Sequence, residues 1–296
     1  MNFVELVAAL WQNTFELGEA DGGRWAVKLF DDQQKAFELI ESETRPIFVT
    51  GAAGTGKSQL LRHLRDFGKD SDGTEVVAFT GAAAVNVDGR TIHSLVLNSK
   101  AWTQGIQVYV PLRDDREIKK SSLQELSALK VLIIDEISMV RADMIDALDR
   151  AFRIAKGNQK PFGGVRLVMF GDLRQLPPFV VEYQLINRER RFLYGYENPS
   201  TPYFFMAHVF SMTPIIQIEL TIQKRVVGDG AQPFIDALNG LRAFPPDPDS
   251  VDFINRHSKD DPDENATFLF SERKPAAKHN LVKLHSLPGV SKIYKA

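Results

Sequence analysis

The chain has 296 residues, of which 44% are hydrophobic and 25% charged, with a net charge of −2. That length suffices for one large or two ordinary domains with a sizeable core, and the near-neutral charge leaves only a local groove for holding a polyanion. The absence of cysteine excludes disulfides, thiolate metal sites and cysteine nucleophiles.

Residues 1–28 read as a short helix followed by the Gly-rich link DGG. Their apolar stretch is broken by Glu5 and has no basic start, which argues against a signal peptide. No run approaches the ~20 apolar residues of a membrane span, so an intracellular protein off the membrane is expected. From Leu29, apolar runs alternate with amphipathic stretches. PIFVT reads as a strand, followed by a Gly-rich loop and the helix SQLLRHLRDF. EVVAFT, VLIID, VRLVMFGD and IIQIEL read as further strands, with MIDALDRAFRIA as a helix among them. Such nearly continuous apolar runs suit parallel strands buried on both faces. The expected fold is therefore α/β, with residues 29–225 forming one doubly wound domain. Leu95–Ser122 interrupts the pattern with GIQVYVPL and RDDREIKK and reads as a small inserted hairpin. After the turn-rich FPPDPDS, TFLF reads as a new strand and a helix starts near Lys274. A second domain is expected over residues 226–296, incomplete at Ala296.

GAAGTGKS, comprising Gly51, Ala52, Ala53, Gly54, Thr55, Gly56, Lys57 and Ser58, fits the phosphate-binding pattern G-x-x-x-x-G-K-[ST] between a strand and a helix. Its glycines let backbone N–H groups face phosphates. Lys57 supplies a charge to the β- and γ-phosphates, and Ser58 a hydroxyl for Mg²⁺. Asp135 and Glu136 end the VLIID strand, where ligands bind in open α/β sheets. Asp135 is the expected Mg²⁺ holder and Glu136 the general base that polarises a water. The adjacent glutamate favours ATP hydrolysis, and no N-K-x-D guanine signature is present. In GDLRQLPP, Gln175 is placed to reach a γ-phosphate and report its loss.

Two further stretches, VVAFTGAAAVNVDGRTIHS and KPFGGVRLVMFGDLRQLPPF, stand in order with these motifs. Together they resemble the Pif-one (petite integration frequency) family of DNA helicases, in superfamily one, group B. The resemblance implies a RecA-like ATPase domain, ATP and Mg²⁺ as cofactors, and 5′ to 3′ translocation on single-stranded DNA with duplex unwinding in replication, repair or recombination. It implies that Thr80, Gly81, Thr91, His93 and Ser94 line the single-strand track. LFDDQQKAF looks like the family's adenine-reading motif. Gln33 fits the phase of Ala36 and Phe37, whereas Gln34 fits if Asp31 is the N-cap. ELTIQKRV resembles the motif that sends an arginine to the γ-phosphate, making Arg225 the candidate finger. The catalytic set is then Lys57, Glu136, Gln175 and Arg225. Trp102 or Tyr109 in the insertion stands where the family carries its strand-separating wedge; the alternative is a hairpin that packs its own aromatics. Arg188–Arg191 reads as a solvated face, with contact to DNA as the alternative. FLFSERKPAAKHN resembles the start of a second RecA-like domain, with Asn280 in the matching position. The later family motifs are absent, so the sequence looks like an N-terminal fragment. Single-stranded DNA and its junctions with duplex are the expected partners, and the chain is expected to be a monomer. A RecD-like or phage Dda-like helicase, a nucleotide-dependent DNA-binding module without unwinding, and a small-molecule kinase are the competing readings.

Overall fold

The structure is a computed structural model that describes residues 28–96, 118–178, 203–224, 231–257 and 266–289. The apolar runs form β1 (Ile47–Gly51), β2 (Thr74–Ala78), β4 (Val131–Asp135), β5 (Arg166–Phe170) and β6 (Ile216–Leu220), with a two-residue β3 (Arg90–Thr91) between β2 and β4. They pair in the order β3-β2-β4-β5-β1-β6. Every pairing is parallel. The helices are α1 (Asp31–Ser42), α2 (Lys57–Phe67), α3 (Gly81–Asn86), α4 (Ile92–Val96), α5 (Lys120–Ala128), α6 (Ala142–Lys156), α7 (Val209–Met212), α8 (Ala231–Leu241), α9 (Pro248–His257) and α10 (Arg273–Ser286).

The sheet is covered on both faces, as the continuous apolar strands require. Successive side chains of β4 point to opposite faces. Leu132 and Ile134 join a core with Ile145, Leu148 and Phe152 of α6. Val131 and Ile133 join a second core with Ala36 and Ile40 of α1 and Leu60, Leu61 and Leu64 of α2. Burying each of those leucines stabilises the fold by about 2–3 kcal/mol. β6 differs because it is the sheet edge. Ile216 and Ile218 are only half-buried while Gln217 and Glu219 are exposed, so its sequence alternates.

The PFGG stretch leading into β5 is a tight turn. Phe162, Gly163 and Gly164 all have positive φ, at 50°, 61° and 84°. Phe162 is a bulky residue in a conformation that ordinarily suits glycine. Its ring is buried in the α6-side core and its N–H donates to Asp149 Oδ1 at 2.6 Å.

Three sequence expectations change. TFLF is not a strand: residues 266–270 have no ladder partner among the described residues. Phe268 and Phe270 instead flank the His279 ring, at 4.5 and 5.4 Å between centroids. FPPDPDS is irregular only to Asp247: its last three residues open α9, whose start carries Pro248 and Asp249, both suited to a first helical turn. Ser122 lies within α5 rather than closing a hairpin. The inserted segment between α4 and α5, with Trp102 and Tyr109, lies outside the described residues, as do the N-terminal stretch to residue 27 and Arg188–Arg191.

Candidate active site

The Gly-rich loop joins β1, second from one edge of the sheet, to α2. Its carbonyls are almost all spoken for, and the partners come from unexpected places. Gln223 Nε2 donates to Ala53 O at 2.8 Å. The Lys224 N–H donates to Gly54 O at 2.9 Å, and Lys224 Nζ to Thr55 O at 3.1 Å. Gln33 Nε2 donates to Gly56 O at 2.9 Å. Four successive carbonyls are thus tied to residues outside the loop, while the Thr55 N–H is used within it, donating to Ala52 O at 3.3 Å. A buried backbone demands such pairing, and an anion at a helix start benefits from it. Lys57 Nζ rests on Gly51 O at 2.7 Å and Ala52 O at 3.1 Å. Burial lowers its pKa, while Asp172 and Glu136 favour its charge and Arg242 opposes it.

Lys224 is itself buried. Its ammonium sits 2.8 Å from both carboxylate oxygens of Asp32 and 5.1 Å from the Phe30 ring centroid. Gly56 has φ +87°, and a Cβ there would stand 2.3 Å from Gln33 Nε2. The backbone conformation favours glycine, and any side chain there would displace the Gln33 amide.

Asp135 and Glu136 emerge from β4. Burial pushes the Asp135 carboxyl up to about 6, against the N–H of Glu136, which donates to its Oδ1 at 3.0 Å. A buried carboxylate whose ionisation is disfavoured suits a divalent cation, which would favour the charged form. Ser58 in the first turn of α2 supplies a hydroxyl on the same edge. Glu136 has φ 53° and ψ 43°, a left-handed conformation that costs a non-glycine residue about 1–2 kcal/mol and that concentrates at working sites.

Asp172 follows β5, between the ends of β4 and β1. Its carboxylate accepts from Gln175 Nε2 at 3.2 Å, the Arg174 N–H at 3.1 Å and Arg242. Burial raises its pKa, but Arg242 and the Arg174 N–H together bring it below the ordinary aspartate value.

Gln33 and Gln34 separate cleanly. Phe30, not Asp31, holds the N-cap position of α1. Gln33 is fully buried, accepting the Phe30 N–H at 3.0 Å while its amide reaches the loop. Gln34 is exposed and bonds Glu38 at 3.0 Å. The N-cap argument for Gln34 therefore fails at its premise.

The residues of the expected DNA track gather on the same carboxyl edge, beyond Asp135. Ala78 is level with Asp135 on one side and Thr91 on the other. Thr80 caps α3, its hydroxyl accepting the Ala83 N–H at 3.1 Å. Gly81 is exposed, with open space where a Cβ would lie. Ser94 Oγ donates to Thr91 O at 2.7 Å. His93 packs on Phe79 with centroids 5.2 Å apart, and burial lowers its pKa. Arg225 lies outside the described residues, one position past Lys224. Asn280 is exposed on α10.

The PIF1-like helicase pattern matches residues 28–194, more than half of the chain. The chain belongs to the PIF1-like helicase family. The ATP-dependent DNA helicase PIF1 of Saccharomyces cerevisiae is 31% identical over 273 residues, covering 90% of this chain and 29% of that protein. A crystal structure of Bacteroides Pif1 bound to ssDNA superposes with a TM-score of 0.71 at 32% identity, covering 87% of this chain and 57% of that one. Bacteroides Pif1 in complex with ADP-AlF3 and ssDNA gives a TM-score of 0.71 at 30% identity, over 89% and 58%. The doubly wound α/β fold and the resemblance read from the motifs both hold. The chain spans less than a third of the yeast protein and a little over half of the Bacteroides chains.

Sequence reasoning missed Gln223, Lys224 and Arg242. Each acts on a residue 70 or more positions away, and no local pattern encodes that pairing. A weak signal for Lys224 was its place beside Arg225.

Proposed function

We propose that the chain is the ATP-binding portion of a DNA helicase that hydrolyses ATP to move 5′ to 3′ along single-stranded DNA and open duplex. The observation that carries this is a shared edge: the phosphate loop, the Asp135–Glu136 pair and Asp172–Gln175 lie at the carboxyl ends of β1, β4 and β5, and the Thr80–Ser94 strip lies beside them at β2 and β3. In α/β sheets this edge is where ligands bind. The Bacteroides relative has been crystallised with both ADP-AlF3 and ssDNA, a pairing that supports both ligands here.

In this proposal the loop N–H groups hold the phosphates, and Lys57 turns from its own carbonyls to the β- and γ-phosphates. Ser58 and Asp135 hold Mg²⁺, which would neutralise phosphate charge. The Glu136 carboxylate takes the proton of the attacking water. Gln175 contacts the γ-phosphate, and Arg225 stabilises its developing charge. Gln33, tied to Gly56, stands at the adenine end. The Thr80–Ser94 strip contacts DNA phosphates and so binds without sequence preference. Residues 226–296 begin a second RecA-like domain. Single-stranded DNA and its junctions with duplex are the partners. In this reading the chain acts as a monomer.

The test is ATP hydrolysis by the 296-residue chain with and without single-stranded DNA, with Lys57→Ala as the blank. DNA-stimulated turnover that disappears in the variant supports the proposal. Turnover indifferent to DNA that yields a phosphorylated small molecule overturns it in favour of a kinase.

A further inference from the structure

Asp172 carries a partner that the scheme above does not use. Both Nη atoms of Arg242 face its two carboxylate oxygens, Nη2 donating to Oδ1 at 3.0 Å and Nη1 to Oδ2. Arg242 directly follows α8, in the turn before α9. The two side chains are unequal: Asp172 is 3% exposed and Arg242 22%. The carboxylate is thus fixed in the sheet edge, and the guanidinium reaches it from outside. The same Oδ2 also accepts from Gln175 Nε2, so one carboxylate holds two groups side by side.

The position of this pair matters. Asp172 follows β5, whose sheet neighbours end in Asp135 on one side and the phosphate loop on the other. Arg242 lies near enough to Lys57 for its charge to oppose that ammonium. A terminal phosphate drawn to Lys57 therefore enters the field of Arg242 as well. A guanidinium fork matches phosphate oxygens as well as it matches a carboxylate, and a terminal phosphate carries more charge than Asp172. ADP lacks that group.

We propose that Arg242 is a further γ-phosphate-binding residue: the terminal phosphate of ATP competes with Asp172 for its guanidinium, and the α8–α9 turn moves with it. Nucleotide state is thereby read out on the segment that follows the sheet. The inference rests on the nucleotide-binding reading above and adds a residue to it.

The experiment compares Mg²⁺-dependent binding of ADP and of a non-hydrolysable ATP analogue to the full chain, using wild type, Arg242→Gln, Arg242→Lys and Lys57→Ala. Arg242→Gln is expected to weaken the ATP analogue about tenfold more than ADP. Arg242→Lys, which keeps the charge but loses the fork, is expected to fall between. A structural role alone would lower both affinities together, and an analogue-to-ADP ratio unchanged from wild type overturns the inference. Because the ratio is taken within one variant, partial destabilisation cancels. If Arg242→Gln does not fold, the ratio in Arg242→Lys decides. Lys57-dependent binding with an unchanged ratio sinks this inference alone. Binding in wild type that does not depend on Lys57 sinks the nucleotide site and the inference with it.

Discussion

Replacing Lys224 by methionine removes the group that ties α1, the phosphate loop and the end of β6 into one unit. The ammonium lies 2.8 Å from both Asp32 oxygens and 3.1 Å from Thr55 O. Methionine fills nearly the same volume, so the packing loss is small. What remains is an Asp32 carboxylate without its partner and a Thr55 carbonyl without its donor. Removing one member of a fully buried ion pair costs about 3–5 kcal/mol. The Asp32 side chain is 18% exposed, and water recovers part of that, so about 2–3 kcal/mol is expected for Lys224→Met. Asp32→Asn strands the more deeply buried partner, since the Lys224 side chain is only 6% exposed. It should cost more, about 3–5 kcal/mol. Each kcal/mol lowers Tm by about 2–4 °C in a chain of this size, so thermal melts followed by circular dichroism resolve both. The double variant should lose about 1–3 kcal/mol less than the sum of the two. Single variants that melt within 2 °C of wild type (about 1 kcal/mol or less), or losses that simply add, would refute the account of Lys224 as the clamp of the loop.

Gly56→Ala is expected to abolish nucleotide binding in a fluorescence titration, since its Cβ would meet Gln33 Nε2 at 2.3 Å in a backbone at φ +87°. Thr80→Ala removes the α3 cap and should cost about 1 kcal/mol in a thermal melt. Asp135 is pushed up from 3.8 to about 6 by burial, so its ionised form burdens the folded state. That burden is absent below about pH 4, develops as pH rises to 6, and reaches about 3 kcal/mol at neutral pH. Without Mg²⁺, Asp135→Asn should therefore melt higher than wild type at pH 7.5, with the gap closing by pH 4. Mg²⁺-dependent ATP binding by wild type should weaken as pH falls below about 6, because protons then compete for the same carboxylate. A gap that does not change with pH would remove Asp135 as its source.

The sheet was legible because its central strands are buried on both faces. VLIID and VRLVMF are apolar runs for the same reason that they pack on two helical layers. TFLF is similarly apolar but has no strand beside it among the described residues, and an apolar run alone cannot supply a ladder partner. α9 hid behind its prolines, although Pro248 and Asp249 are also what a helix start looks like. The phosphate loop was legible because its chemistry is local: glycine spacing and one lysine are all it needs. The placement of the glutamines turned on one residue. With Phe30 at the N-cap, Gln33 occupies the third helical position and satisfies the Phe30 N–H, which turns its amide inward to Gly56. Gln223, Lys224 and Arg242 act across 170, 192 and 70 residues of chain. Their partners exist only once β6 lies beside β1 and the turn after α8 brings Arg242 to Asp172.

These long-range groups change what nucleotide binding means at this site. Lys57 has the carbonyls of Gly51 and Ala52, and Gln175 and Arg242 share Asp172. In the proposed site these three groups thus already have acceptors in the protein. Binding ATP is then an exchange of acceptors, and its free energy is a difference between two sets of strong hydrogen bonds. Such a site gains little from phosphate as a generic anion. It gains most from a ligand that replaces all the internal acceptors at once, which a triphosphate with its cation does and a diphosphate does not. Because the acceptors given up include Asp172, the partner of a segment beyond the sheet, loss of the terminal phosphate on hydrolysis should return Arg242 to that carboxylate. The same exchange that selects ATP would then move α8 and α9 once in each turnover.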